Sequence, residues 1–433
     1  MTAAPAGASP APATASETYC DVPCVFCGLV CDDLEISRNG QKLTVTRNGC
    51  GKAKAGFERP LSNAEPRVAG RPVSLDAAIA AAAGLIRKAA LPAFGGLGTD
   101  IDGMRAVMSI ADKSRGVVDH ALSDGYMHNL RVLQSRGWFM TTLTEVRNRA
   151  DLIIFTTDVL KYHQRFFERV IHARETLFTE GPVKRTIVLI GEGYDTGPIA
   201  GPGVGDIISI NCKPEAVGDV ISALSALNKG SALGAEAVAG VPRARIEHLL
   251  ALCHAASYGV VVWIPTALKS ANADLTVHQI CDLVKDFNVK QRFAGLSLGG
   301  SEGSTSVAAV CAWQSGYPLR VSFQSGAPQF DPALFSIPQL LKSGACDCLV
   351  WLSGLTPDLK PPQTDVPTIV LGTFDMTPDR EPDIFIPVAT PGVDTRGQMM
   401  RVDGNVVLPL RDLGRQSGLP GSVAVLNAIE AAL

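Results

Sequence analysis

No stretch of the 433-residue sequence holds 18 consecutive apolar residues, so no helix is expected to span a bilayer. Nor is there a charge bias: 39 Lys and Arg stand against 42 Asp and Glu, for a net charge of −3. That balance speaks against nucleic acid or an anionic membrane surface as the main partner. The first 18 residues carry no basic residue and no apolar run, the two parts a secretory signal needs, and read as a flexible lead-in. His120, His128, His163 and His172 show neither HExxH nor HxxxH spacing, so a metallohydrolase centre is not expected. Disulfide usage is missing too. Of 11 cysteines, Cys212, Cys253, Cys281, Cys311, Cys346 and Cys348 are scattered through apolar segments, and the other five crowd into residues 20–50. Such usage is expected of a reducing cytoplasm, where a dense cluster signals metal rather than disulfide.

What the sequence does have is apolar substance, 46% against 19% charged, enough for a sizeable core. Alternating polarity over 34–36 and 43–46, around Arg38-Asn39-Gly40, predicts a short hairpin. Ser74 is placed to cap the Ala-rich helix that follows it. Strands are then expected at 116–118, 152–155, 186–190 and 207–210, and again at 259–264, 292–298, 349–352, 368–371 and 384–388. Helices are expected between them at 215–227, 243–256, 273–287 and 303–315. Short apolar strands alternating with helices predict parallel sheets covered on both faces. The expected α/β organisation is a tail over 1–18, a Cys-rich module over 19–60, and two Rossmann-like lobes over 61–240 and 241–433.

The cysteines are spaced Cys24-x2-Cys27-x3-Cys31-x18-Cys50, with Cys20 just ahead. Three thiolates within eight residues and a distant fourth can surround a [4Fe–4S] cube, one per iron. The same four sulfurs can instead hold tetrahedral zinc, or stand as metal-free thiols. Elsewhere, Lys161, Arg165 and Arg169 fall four apart, which places them on one helix face, either gripping an anionic partner or simply solvated. The Gly-rich run from Gly295 to Gly303 follows a strand and opens a helix, a geometry that suits an anion or nucleotide cradle.

The segment from Cys24 to Asp33, CVFCGLVCDD, resembles the cluster motif of molybdopterin oxidoreductases, and more narrowly that of the B subunit of tungsten or molybdenum formylmethanofuran dehydrogenase. Further stretches along the chain are similar to the same family: Thr144-Glu145-Val146-Arg147-Asn148-Arg149-Ala150-Asp151, Trp313-Gln314-Ser315-Gly316-Tyr317-Pro318 and Ile386-Pro387-Val388-Ala389. The resemblance implies a molybdopterin-oxidoreductase-like fold, with Cys24, Cys27, Cys31 and Cys50 as cluster ligands and Lys52 between cluster and pterin.

Two departures stand against an intact redox centre. The family holds its tungsten or molybdenum with a Cys or selenocysteine, but no cysteine lies between Cys50 and Cys212. Ser123 and Asp124 occupy the matching stretch and read as a surface turn. Where the family has a glycine-containing loop after its strand, this chain has Thr156-Thr157-Asp158-Val159, which sets a carboxylate where phosphates would sit. The pattern resembles the related B subunit of the bacterial formyltransferase/hydrolase complex. That likeness implies a non-catalytic structural subunit with no pterin and no tungsten or molybdenum. Its implied partners are amidohydrolase-type, formyltransferase and further scaffold subunits. The alternative is an active dehydrogenase subunit.

Overall fold

The computed structural model describes residues 16–178, 181–268 and 272–433. Two parallel sheets organise it, as the alternation of strands and helices predicts. One has five strands, in the spatial order Val204–Ile210, Arg185–Ile190, Leu152–Phe155, Tyr258–Trp263 and Arg292–Ser297, all parallel. The other has nine, with a parallel centre of Val117–Val118, Pro92–Gly98, Cys348–Ser353, Thr368–Gly372 and Ile384–Pro387. Short antiparallel strands close both of its edges.

The five-stranded sheet shows why its strands read as unbroken apolar runs. Ile153, Phe155, Val260 and Val262 face one core, while Leu152, Ile154, Val261 and Trp263 face the other. Successive side chains point to opposite faces, and here both faces are dry. Helices Val217–Asn228, Arg243–Ala255 and Ala273–Phe287 cover the second face. The first is covered by Val22, Val25, Leu29, Leu34 and Ile36 of the Cys-rich segment. That segment is a three-stranded antiparallel sheet, Glu17–Val22, Leu34–Asn39 and Lys42–Arg47, followed by helix Gly51–Phe57. The hairpin and the Ser74 cap are as expected, Ser74 Oγ accepting from the Ala77 amide at 3.2 Å.

The sheets depart from the linear division at residue 240. The five-stranded sheet draws three strands from before that point and two from after it, and the nine-stranded sheet is likewise built from both ends of the chain. The lobe spanning roughly Leu143 to Ser297 is thus an insertion within the other. Hydrogen-bonded neighbours in a parallel sheet are joined by crossovers of any length, so local pattern does not report the partner. The expected tail also changes, because Glu17 and Thr18 already belong to a strand, while the residues before Ser16 lie outside those described.

One central strand, Pro92–Gly98, has a broken apolar signature, with Ala93, Phe94 and Leu97 interrupted by glycines. Its sequence PAFGGLG reads as a loop, yet every residue is buried. A Cβ on Gly96 would meet the Trp351 ring and the Leu352 carbonyl at 2.8 and 2.7 Å. The glycines leave room for the indole of the neighbouring strand.

Candidate functional site

The Cys-rich loop is built by its own backbone and by a distant arginine pair. The Cys24 amide donates to the Cys31 carbonyl at 2.8 Å, and the Val30 amide donates to that of Cys27 at 3.2 Å. Closing so tight a turn puts Val30 at φ +44°, a left-handed conformation that a β-branched residue adopts only under constraint. The constraint comes from two sides. Gly28 lies directly on the Gly299-Gly300 backbone of the Gly-rich run, and its carbonyl accepts from the Val402 amide at 2.7 Å. On the other side Arg165, buried, donates to both oxygens of Asp33 at 2.7 and 2.8 Å and also pairs with Glu168. Arg169 pairs with Asp32 and, at 2.8 Å, with Asp33.

Of the basic triplet only Lys161, its side chain 68% exposed, fits the solvated reading. Arg165 and Arg169 are neither a free grip nor a solvated face. They are the partners of the two aspartates that follow Cys31, while Lys161 lies beside Asp158 at 3.6 Å. Burial pushes the Asp33 carboxyl up, but the Arg165 hydrogen bonds and the Arg169 charge more than offset it and hold it below the usual carboxylate range. Arg165 is correspondingly held in its charged form by Asp33 and Glu168 despite burial.

Cys24, Cys27 and Cys31 are buried, Cys50 is half-buried at the start of helix Gly51–Phe57, and all four are free thiols. Burial raises the thiols of Cys24 and Cys27 and pushes Cys31 up to about 12. The nearness of Cys27, Cys31 and Cys50 adds to the rise at Cys24. Yet among the described residues no three His, Cys, Asp or Glu side chains converge as a metal ligand set. The donor chemistry of four neighbouring thiols suits a [4Fe–4S] cube or a tetrahedral zinc, with the sulfurs not drawn to one point in this structure.

Beyond Gly300 the two lobes enclose a cavity of about 510 Å³. Tyr126, Leu130, Trp138 and Leu296 form apolar walls, and His120 and His163 are buried beside them. Burial lowers both imidazoles to about 4, so they are neutral. His163 has no hydrogen-bond partner on either ring nitrogen. Lys52, which the resemblance puts between cluster and pterin, donates to the carbonyl of Tyr162, a residue of the cavity wall, at 2.9 Å. Among the described residues that line the cavity there is no Lys, Arg or Cys, and the one charged side chain is Asp403. A pterin dinucleotide carries a pyrophosphate that needs cationic or amide partners, and its metal takes a thiolate or selenolate. To such a group the described walls offer neither a thiolate nor a cation, only the backbone of the Gly-rich run where helix Ser304–Ser315 begins.

Ser123 and Asp124 are not on a turn. They begin helix Ser123–Arg136, with Ser123 Oγ accepting from Arg320 at 2.9 Å and Asp124 paired to the same guanidinium. Gly295-Leu296-Ser297-Leu298-Gly299 spells GxSxG, but Ser297 closes a strand, accepts from Asn129 at 2.7 Å and has no histidine bonded to it. A nucleophile elbow would need that serine on the turn. The aromatic cavity wall and the Asp33–Arg165 bond escaped sequence reasoning. The adjacent Asp32-Asp33 and the four-residue spacing of Arg165 and Arg169 were the only signal, across 132 residues of chain.

The chain is homologous to the B subunits of formylmethanofuran dehydrogenase along most of its length. It is 27% identical over 403 residues to the B subunit of the tungsten-containing formylmethanofuran dehydrogenase 2 of Methanocaldococcus jannaschii, covering 89% of this chain and 91% of that one. The counterpart in Methanococcus maripaludis is 25% identical over 406 residues, covering 90% and 92%. The chain is also homologous to the B subunit of the formyltransferase/hydrolase complex Fhc of Methylorubrum extorquens, at 25% identity over 290 residues, 66% of this chain and 74% of that one. A chain in the crystal structure of that organism's FhcABCD complex, determined with methylofuran, shares the fold. It has a TM-score of 0.71 at 22% identity, over 84% of this chain and 98% of that chain. No family model matches the sequence.

Proposed function

We propose that this chain is a non-catalytic structural subunit of a cytoplasmic formyltransferase/hydrolase complex. Such a complex passes a formyl group from tetrahydromethanopterin to methylofuran and releases formate in one-carbon metabolism. Its partners are then an amidohydrolase-type subunit, a formyltransferase and a further scaffold subunit. The observation that carries the reading is the cavity between the lobes. It lies between the lobes beside the Gly-rich run, and its walls offer neither a thiolate nor a cation among the described residues. Charged phosphates would enter it at a desolvation cost that no guanidinium or ammonium offsets. The formyl-transfer chemistry is therefore assigned to the partner subunits.

A second reading, an active dehydrogenase subunit carrying tungsten or molybdenum pterin, is favoured by the longer match to the tungsten enzymes, 89% of the chain against 66%. Elemental mass spectrometry of the natively, anaerobically purified complex separates the two. Copurifying partner subunits with neither tungsten nor molybdenum are expected. Either metal near one per chain, with extractable pterin, would establish the dehydrogenase reading instead.

A further inference from the structure

We infer that the cavity between the lobes is a binding site for an uncharged aromatic small molecule bearing a hydroxyl or amide group, held by His163 and Ser297. At about 510 Å³ it falls within the size range of small-molecule sites, and it has their usual make-up of apolar walls with a few polar points. Tyr126, Leu130, Trp138 and Leu296 supply apolar surface against which a ring can pack. Tyr126 is also exposed, as are Leu133 and Met140 in the same walls, so apolar surface continues out to the mouth. The inference rests on the proposed function in one respect, that no metal pterin fills the cavity.

Two histidines stand in the cavity wall, and they differ in how they are satisfied. His120 Nδ1 accepts from the Leu122 amide at 2.9 Å, and its Nε2 meets the Glu302 carbonyl at 3.1 Å. His163 is as deeply buried, yet neither of its ring nitrogens has a partner among the described residues. A buried imidazole in that state has given up its hydrogen bonds to water without replacement, and a bound group restores one. The ring is neutral, because burial and then the nearby Lys52 charge lower its basicity, so it presents one N–H and one lone pair. Ser297 Oγ, also in the wall, accepts from Asn129 at 2.7 Å, which leaves its own O–H to donate. A ligand hydroxyl or amide both gives and accepts a hydrogen bond, as these two groups require. An anionic group is served less well. The Gly300 amide of the Gly-rich run already donates to Ser304 Oγ at 3.1 Å, and the Asp403 carboxylate shares the wall.

The test titrates the full-length chain at neutral pH with 2-naphthol, naphthalene and 2-naphthyl phosphate, which share one ring system and differ in head group. Binding is read by calorimetry and by quenching of tryptophan fluorescence, for wild type, His163→Phe, Ser297→Ala and Leu130→Trp. Wild type should bind 2-naphthol saturably, about three- to tenfold more tightly than naphthalene. His163→Phe should remove about that factor for 2-naphthol and leave naphthalene unchanged, a split that a merely structural histidine would not produce. Leu130→Trp, which fills the cavity, should abolish binding of both. If His163→Phe does not fold, Ser297→Ala supplies the same comparison. Four results would each overturn the inference: no binding of 2-naphthol, binding of 2-naphthyl phosphate as tight as that of 2-naphthol, equal loss of both uncharged probes in His163→Phe, or binding that survives Leu130→Trp. Any of these would leave the proposed function standing. Tungsten or molybdenum with pterin in the native complex would overturn both, and absence of partner subunits from that preparation would refute the proposed function alone.

Discussion

Replacing Gly28 with alanine should damage the joint between the Cys-rich segment and the Gly-rich run. The Cβ would lie 2.5 Å from Gly300 Cα and 2.8 Å from both the Gly300 carbonyl carbon and the Gly299 oxygen. All three are backbone atoms, so no rotamer change relieves the overlap. The two segments must part by about 1 Å to regain ordinary contact. That movement lengthens the 2.7 Å bond from the Val402 amide to the Gly28 carbonyl. Overpacking of a rigid site costs about 1–3 kcal/mol, and opposed backbones put Gly28→Ala near 3 kcal/mol. The Tm of the full-length chain should fall by roughly 3–8 °C. Gly84→Ala is the internal control. Gly84 lies inside helix Leu75–Lys88 with nothing within 4 Å of an added Cβ, and alanine there should stabilise by about 0.5–1 kcal/mol. Thermal unfolding that places Gly28→Ala within about 1 °C of wild type, with the Gly84 control shifted as expected, would refute the close approach.

Two further outcomes rest on buried charge. Asp119, raised to about 6 by burial, keeps its proton in the folded chain after the unfolded chain has lost it at 3.8, so it makes stability fall as pH climbs between those values. His120 and His163, lowered to about 4 against 6.5 unfolded, make stability rise over nearly the same window. From these three groups alone, two rises against one fall contribute a slope of about 1.4 kcal/mol per pH unit below pH 6, and Asp119→Asn should steepen the measured slope by about the same amount. Denaturant unfolding across that range checks this, an unaltered slope counting against the assignment. Arg415 and Asp394 form a fully buried bidentate pair at 2.8 and 2.9 Å. Asp394→Leu should cost about 3–5 kcal/mol by stranding the guanidinium, and Arg415→Met in the same chain should recover part of the loss. A double variant no more stable than the single would show that the pair does not act as a unit.

How much of this was legible in advance varies with the range of the interaction. The hairpin, the Ser74 cap, the five-stranded sheet's strands and the helices between them rest on periodicity and turn chemistry within a dozen residues, and each forms close to where the pattern puts it. The strand Pro92–Gly98 escaped because its glycines answer to Trp351, some 250 residues later. The same holds for Arg165 and Arg169. Their spacing was visible, but no local rule announces that their partners are Asp33 and Asp32, 132 and 137 residues earlier. Ser123-Asp124-Gly125 has turn composition, yet Arg320 receives both side chains and draws them into a helix start.

Composition and motif by themselves determined the α/β class, the lack among the described residues of a helix able to cross a membrane, and the kinship carried by CVFCGLVCDD. Those follow from local hydrophobic pattern and from residue order, both written along the chain. Only the tertiary structure decided which strands share a sheet, which lobe is inserted in the other, and what holds the cysteine loop. Hydrogen bonds between parallel strands and ion pairs between distant segments depend on distances in space, and the chain order does not encode those distances locally.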